Sequence, residues 1–157
     1  MKPRLIFIGL LVVSILLVSC SGNSNAEGAT NSEIQADWPM LSLDEMTQKA
    51  DLIAFVSVKS TAEEDRSNGI VAQISTLKVL ETLSGQTSGK VKLNQATNYL
   101  EKGGNYLLFL SKNGTEEYYF VMSPAGVIKE HNGVYVSNVF GGNGKFNQDQ
   151  IKNLLLD

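Results

Sequence analysis

Residues 70–82, IVAQISTLKVLET, read as one long strand whose apolar positions change phase. Ile70, Ala72 and Ile74 lie on one alternation, Leu77 and Val79 on the other. Side chains of a β-strand alternate between its two faces, so the buried face cannot switch without an extra residue or a sharp coil. A bulge or bend is therefore expected near Ser75 and Thr76. Long strands that bend are how small barrels close.

The neighbouring runs fit such a barrel. Residues 52–58 and 106–110 are apolar on both phases, as strands covered on both faces are. Val91 and Leu93 alternate with Lys90, Lys92 and Asn94, the pattern of a half-exposed strand. Asn113-Gly114 is a hairpin signal between 106–110 and 118–122. Pro124-Ala125-Gly126 turns the chain into 127–129, and Asn132-Gly133 returns it through 134–137. Residues 141–144, GGNG, read as a loop.

A helix is expected at each end. Ser42 and Glu45 have the spacing of a capping box, and Leu41 and Met46 that of a hydrophobic staple. Leu43, Met46 and Ala50 share one face of this helix, which ends near Asp51. Asn147 with Gln150 caps the last helix, whose buried side carries Ile151, Leu154 and Leu155. Short links without intervening helices argue against a parallel sheet. The expected fold is mainly β, a small, partly closed barrel with a short N-terminal helix and a C-terminal helix. A two-layer sandwich is the alternative.

The first residues carry an address. Lys2 and Arg4 precede an apolar run over 5–18 that is broken only by Gly9 and Ser14, and Leu17-Val18-Ser19-Cys20 follows. A positive start, a short apolar middle and a small residue before the cut are the layout of a secretory signal. As a helix, this run would rise about 21 Å, short of the roughly 30 Å hydrocarbon core, which argues against a signal anchor. Residues 17–20 match a lipobox, and the segment resembles the leaders of bacterial lipoproteins. That resemblance implies a signal peptide over 1–19, cleavage between Ser19 and Cys20, and a diacylglyceryl group on the Cys20 thiol. Two acyl chains hold a protein stably to a membrane at about 0.8 kcal/mol per buried CH₂, whereas one holds it only marginally.

Residues 20–36 read as a lipidated tether. The stretch 21–36 is rich in Ser, Asn, Gly and Ala, with Ile34 its one large apolar residue. Such a composition does not offset its ordering entropy by burial. It spans roughly 20–24 Å root-mean-square. The domain then occupies 37–157.

Charge and cysteine usage narrow the function. Lys2 and Arg4 are two of 13 basic residues, so the mature chain keeps 11 against 16 acidic ones, a formal charge of −5. This argues against a nucleic-acid partner, which needs clustered Lys and Arg. Cys20 is the single cysteine, so the domain is held by its core and not by a disulfide.

Ala50-Asp51-Leu52-Ile53 before the first strand, the bent second strand, residues 102–110 (KGGNYLLFL) and the 126–136 hairpin together form a further pattern. Over about 42–139 it resembles small extracytoplasmic OB-type barrels, similar to the inhibitory domain of tissue inhibitors of metalloproteinases. The resemblance implies an OB-like fold and leaves function open. Those inhibitors chelate zinc through a free N-terminal cysteine. A lipidated Cys20 on a tether departs from that arrangement, so the mechanism does not carry over.

No catalytic set is apparent in the sequence. His131 is the only histidine, beside the Asn132-Gly133 turn, with neither a second histidine nor a cysteine of the domain to share a metal. Glu130 is its neighbour, and neighbours on a strand point to opposite faces. Ser123 and Ser137 lack an evident base. Glu63-Glu64-Asp65 reads as an acidic loop after the first strand, without the ligand spacing of a calcium loop. Gly103-Gly104 and 141–144 read as turns. Trp38, Tyr99 and Tyr135 are candidates for exposed aromatics, and one of the adjacent pair Tyr118 and Tyr119 must point outward.

The resulting expectation is a non-catalytic, membrane-anchored binding module on the extracytoplasmic face, without cofactor or metal. Its partner would be an envelope protein or a cell-wall component. The binding surface is placed at loops 59–68 and 96–104 and at Tyr99, Tyr118 and Tyr119. An envelope hydrolase with an unrecognised site is the alternative. Ser21 in place of Asp carries no retention signal, and the lack of exported cysteines leans toward a single-membrane, Gram-positive-type cell.

Overall fold

A computed structural model describes residues 38–66, 69–114, 117–141 and 144–156. The expected signal peptide over 1–19, the expected cleavage and lipidation at Ser19 and Cys20 and the expected tether over 20–36 lie outside the described residues. In chain order the elements are α1 (Leu43–Lys49), β1 (Leu52–Asp65), β2 (Val71–Gly85), β3 (Lys90–Gln95), β4 (Asn105–Lys112), β5 (Tyr118–Val121), β6 (Val127–His131), β7 (Val134–Val136), β8 (Lys145–Phe146) and α2 (Gln148–Leu156). One 3-10 turn, Pro124–Gly126, separates β5 from β6, and another, Asn138–Phe140, follows β7.

The strands close into a five-stranded barrel in the order β1-β2-β3-β5-β4, with β4 returning to β1. This is the OB-like architecture, and the ring is fully closed. Every pairing is antiparallel except β3 with β5, where Lys92, Leu93 and Asn94 stand opposite Tyr118, Tyr119 and Phe120. The expectation of antiparallel pairing thus misses this one seam. The long excursion through β4 brings β5 back pointing the same way as β3. β6 lies beside β4, and β7 and β8 extend the sheet outward from it. The two-residue β8 falls where sequence patterning gives no strand signal.

Two cores explain why residues 52–58 and 106–110 are apolar on both phases. Leu52, Ala54, Val56 and Val58 of β1 join Tyr106, Leu108 and Leu110 of β4 in the barrel interior, with Leu77, Val91, Leu93, Leu100 and Val121. The alternate residues Ile53, Phe55, Leu107 and Phe109 form a second core with Met46 of α1, Ile128, Tyr135 and Ile151 of α2. β1 and β4 are therefore a wall with a packed layer on each side.

The caps form as expected. Ser42 Oγ accepts from the Glu45 amide and the Glu45 carboxylate accepts from the Ser42 amide, while Asn147 and Gln150 do the same at α2. Leu154, expected on the buried side of α2, is 50% exposed; Ile151 is the residue buried there.

β2 corrects the expected phase change. Gln73 and Ser75 continue the alternation of Leu77 and Val79 and are themselves buried, so the inward face is continuous and merely turns polar. No register shift falls at Ser75 and Thr76 within β2. The nearest one belongs to β1, where Lys59 is passed over opposite Leu77 and Thr76. Within β2 itself the register passes over Leu80 and Leu83, the irregularity of a β-bulge at each. A second correction concerns Glu63, Glu64 and Asp65. They pair with Gln73, Ala72 and Val71 in the far half of β1, and so belong to a strand and not to a loop.

Candidate functional site

The polar end of the barrel is built from residues on its inward phase. Gln95 follows Val91 and Leu93 on the same alternation of β3, and stands opposite Gln73 in the β2–β3 register. Gln73 Oε1 accepts from the Leu100 amide at 2.9 Å and from Ser75 Oγ at 3.0 Å. These bonds fold the 96–104 segment across the barrel end and seat Leu100 in the barrel core. Tyr99 ties the same segment down from outside, its hydroxyl donating to the Val71 carbonyl at 2.7 Å.

Beside this plug lies a small cleft lined by Trp38, Asn94, Gln95, Ala96, Thr97, Asn98 and Val121. Gln95 Nε2 donates to the Asn98 carbonyl at 2.7 Å, which fixes the orientation of the amide. Its Oε1 is buried without a hydrogen-bond partner, and so is Trp38 Nε1. The Trp38 ring is only half-buried. A buried polar atom left unpaired costs about 1–3 kcal/mol.

The three tyrosines expected to bind are held by different partners. Tyr99 is 42% exposed and bonded to β2. Tyr119 packs against the barrel core, so its neighbour Tyr118 is the outward member of the pair. Lys92 Nζ lies 5.6 Å from the Tyr118 ring centroid and 2.6 Å from Glu117, and Lys112 Nζ lies 5.9 Å from the Tyr119 centroid. The Glu117 contact, mainly its hydrogen bond, raises the Lys92 pKa. Tyr135, a candidate for an exposed aromatic, is instead buried. It packs on Phe55 with centroids 5.2 Å apart, and burial pushes its hydroxyl up to about 12.

His131 is exposed at the end of β6, beside a turn in which Asn132 and Gly133 both take positive φ. Glu130 is engaged elsewhere: one carboxylate oxygen accepts from Asn105 Nδ2 at 2.8 Å and the other from the Gly133 amide. Ser123 is fully buried and faces the Leu41 amide at 3.4 Å, and Ser137 caps the 3-10 turn after it. Among the described residues no group of three or more His, Cys, Asp or Glu side chains could hold a metal ion.

The Asn105 and Gly133 bonds hold the Glu130 carboxyl below its ordinary value of 4.5. A depressed carboxylate stabilises the fold above its unfolded pKa, and this contribution is lost as pH falls through the folded value. Glu130→Gln should therefore be less stable than the parent at pH 7. The gap should narrow on acidification through about 4.5 and below in paired urea titrations, and a gap constant with pH would contradict the assignment.

The trio Gln73, Gln95 and Trp38 does not stand out as a site in the sequence, although a glutamine on the inward phase of a strand is a visible signal. The chain matches no protein-family model, no curated protein and no solved structure.

Proposed function

We propose that this chain is a lipid-anchored, non-catalytic binding module on the outer face of a bacterial cell membrane, serving an envelope protein or a cell-wall component. The observation that carries the binding reading is the cleft at the polar barrel end, where a buried donor and a buried acceptor are both unpaired. Ligand sites are concave and place a few polar groups in an otherwise packed surface. The engagement of both Glu130 oxygens away from His131 supports the non-catalytic reading. The anchoring reading rests on Leu17-Val18-Ser19-Cys20. Among the described residues no helix is long and apolar enough to cross a membrane.

Crosslinking in intact cells, followed by identification of what is attached, tests the binding reading. A specific envelope protein or cell-wall fragment is expected, and recovery of neither overturns it. The anchor has its own test. Cys20→Ala should abolish incorporation of labelled fatty acid and leave the chain uncut or released. Normal membrane retention with an unmodified residue 20 would overturn the anchoring reading.

A further inference from the structure

We propose that the far half of β1, Ser60–Asp65, is a docking edge for the same edge of a second copy of this chain. β1 pairs with β4 only over 52–57. Val58 then meets Gly103 and Gly104: its amide donates to the Gly104 carbonyl and its carbonyl accepts from the Gly103 amide, each at 2.9 Å. Beyond the irregularity at Lys59, residues 60–65 pair with β2 alone among the described residues. Such a stretch has an ordinary strand length, and an open edge of that length is a template for another strand. The strand at the opposite end of the sheet order, β8, has only two residues.

Two hydrogen bonds fix the direction of the backbone groups. The Arg66 amide donates to the Ile70 carbonyl at 2.9 Å, so 66 opposite 70 is a hydrogen-bonded pair. Antiparallel pairs alternate between bonded and non-bonded, and the register runs without a shift from Ser60 opposite Thr76 to Asp65 opposite Val71. Ser60, Ala62 and Glu64 therefore bond to β2. Thr61, Glu63 and Asp65 turn their N–H and C=O away from it. The Val71 carbonyl bears this out, since it points away from β1 and accepts from the Tyr99 hydroxyl at 2.7 Å. Glu63 and Asp65 are exposed and Thr61 is half-buried, so the edge is open to a partner.

Charge selects the partner strand and its register. Glu63, Glu64 and Asp65 repel any strand that sets acidic residues against them. Two copies related by a two-fold axis pair antiparallel, with outward residues opposite outward residues. A pairing centred on Glu63 or on Glu64 sets that residue against its own copy. One centred on Thr61 runs Asp65 into the part of β1 already taken by β4. A pairing centred on Ala62 sets no acidic residue against another. Thr61 of each copy then faces Glu63 of the other, Ser60 faces Glu64 and Lys59 faces Asp65. Each carboxylate meets a hydroxyl donor or an ammonium. Ala62, the smallest side chain of the segment, is the one that meets itself. Among the described residues neither Lys59 nor Asp65 has an ion-pair partner within its own chain. The acidic residues that keep foreign strands away thus specify one register for a second copy. This pairing is independent of the anchoring and binding readings above.

Sedimentation of the full chain in detergent, up to about 1 mM, should show a monomer–dimer equilibrium. Glu63→Pro removes an N–H that β2 does not use, and should abolish the dimer with an unchanged circular dichroism spectrum. Asp65→Lys sets lysine against lysine twice and should weaken the dimer about tenfold or more. Adding Lys59→Asp reverses both pairs and should restore it, which decides the matter even if Glu63→Pro does not fold. Ala62→Cys should form a disulfide between residues 62 of two copies, identified by peptide mapping, because a non-bonded pair brings Cα atoms to about 4.5 Å. Thr82→Cys, exposed in the near half of the β1–β2 pair, should not. A monomer throughout the concentration range overturns the proposal, and the acidic side chains then serve only to keep strands off the edge. Association that Asp65→Lys leaves unchanged, or that Lys59→Asp fails to restore, also overturns it.

Discussion

Replacing Phe109 with Ala should lower the stability of the domain by about 3–5 kcal/mol, the range for emptying a fully buried phenylalanine site. Phe109 is 0% exposed and lies in the second core with Met46, Phe55 and Leu107. Its surroundings cannot simply close over the gap. They comprise the β4 backbone, α1 and the Pro124–Gly126 turn, where a Cβ on Gly126 would already meet Phe109 Cβ at 3.1 Å and Met46 Sδ at 3.2 Å. With total stability of about 5–15 kcal/mol typical for a domain, most of the folding margin is at stake. The urea midpoint should fall with an unchanged slope. Leu80→Ala, at a position 50% exposed, should shift it by no more than about 0.5 kcal/mol. A Phe109→Ala loss as small as the Leu80 one would mean that the outer layer is not packed on the barrel wall.

The second large effect is at Gly85. A Cβ there would sit 2.0 Å from the Asp51 carbonyl oxygen, and the residue has φ +86. Asp51 has little freedom to retreat. Its amide donates to the Leu110 carbonyl at 2.9 Å, and its carboxylate accepts from the Lys112 amide at 2.7 Å. Gly89 is the matched control, with φ +88 and no neighbouring atom within 4 Å of where a methyl group would stand. Gly89→Ala should cost about 1–2 kcal/mol for the left-handed backbone alone. Gly85→Ala adds the collision and should reach about 4 kcal/mol or more, among the largest single-site losses. Equal melting temperatures for the two variants would show that Asp51 moves freely.

The barrel is more legible in the sequence than the cleft, for a physical reason. Apolar residues on both phases of 52–58 and 106–110 can arise only where a strand is covered on both sides, and β1 and β4 are so covered. Capping boxes act within four residues, so Ser42–Glu45 and Asn147–Gln150 are legible locally. The apparent phase switch in β2 misleads because polar side chains are ordinarily counted as outward. Gln73 and Ser75 are inward and satisfied by each other and by Leu100, a partner 27 residues from Gln73. Gln95 poses the same difficulty: its phase is readable from Val91 and Leu93, but its meeting with Trp38 depends on how residue 38 and β3 come together in space. Long-range juxtaposition also settles which tyrosine faces out, since Tyr119 finds the barrel core only once β5 pairs with β4.

The wall formed by β1 and β4 also sets the order in which the chain can fold. Leu52–Asp65 leaves the ribosome well ahead of Asn105–Lys112, with which it pairs, Leu52 opposite Leu110. Until then β1 has one neighbour, β2, and two uncovered apolar faces. Contacts so distant in sequence place folding on the order of milliseconds to seconds. During that interval an apolar strand edge is open to pairing with another chain. Dilution, or a chaperone that covers residues 52–58, should therefore raise the yield of refolded protein more than any change to the surface of the finished barrel.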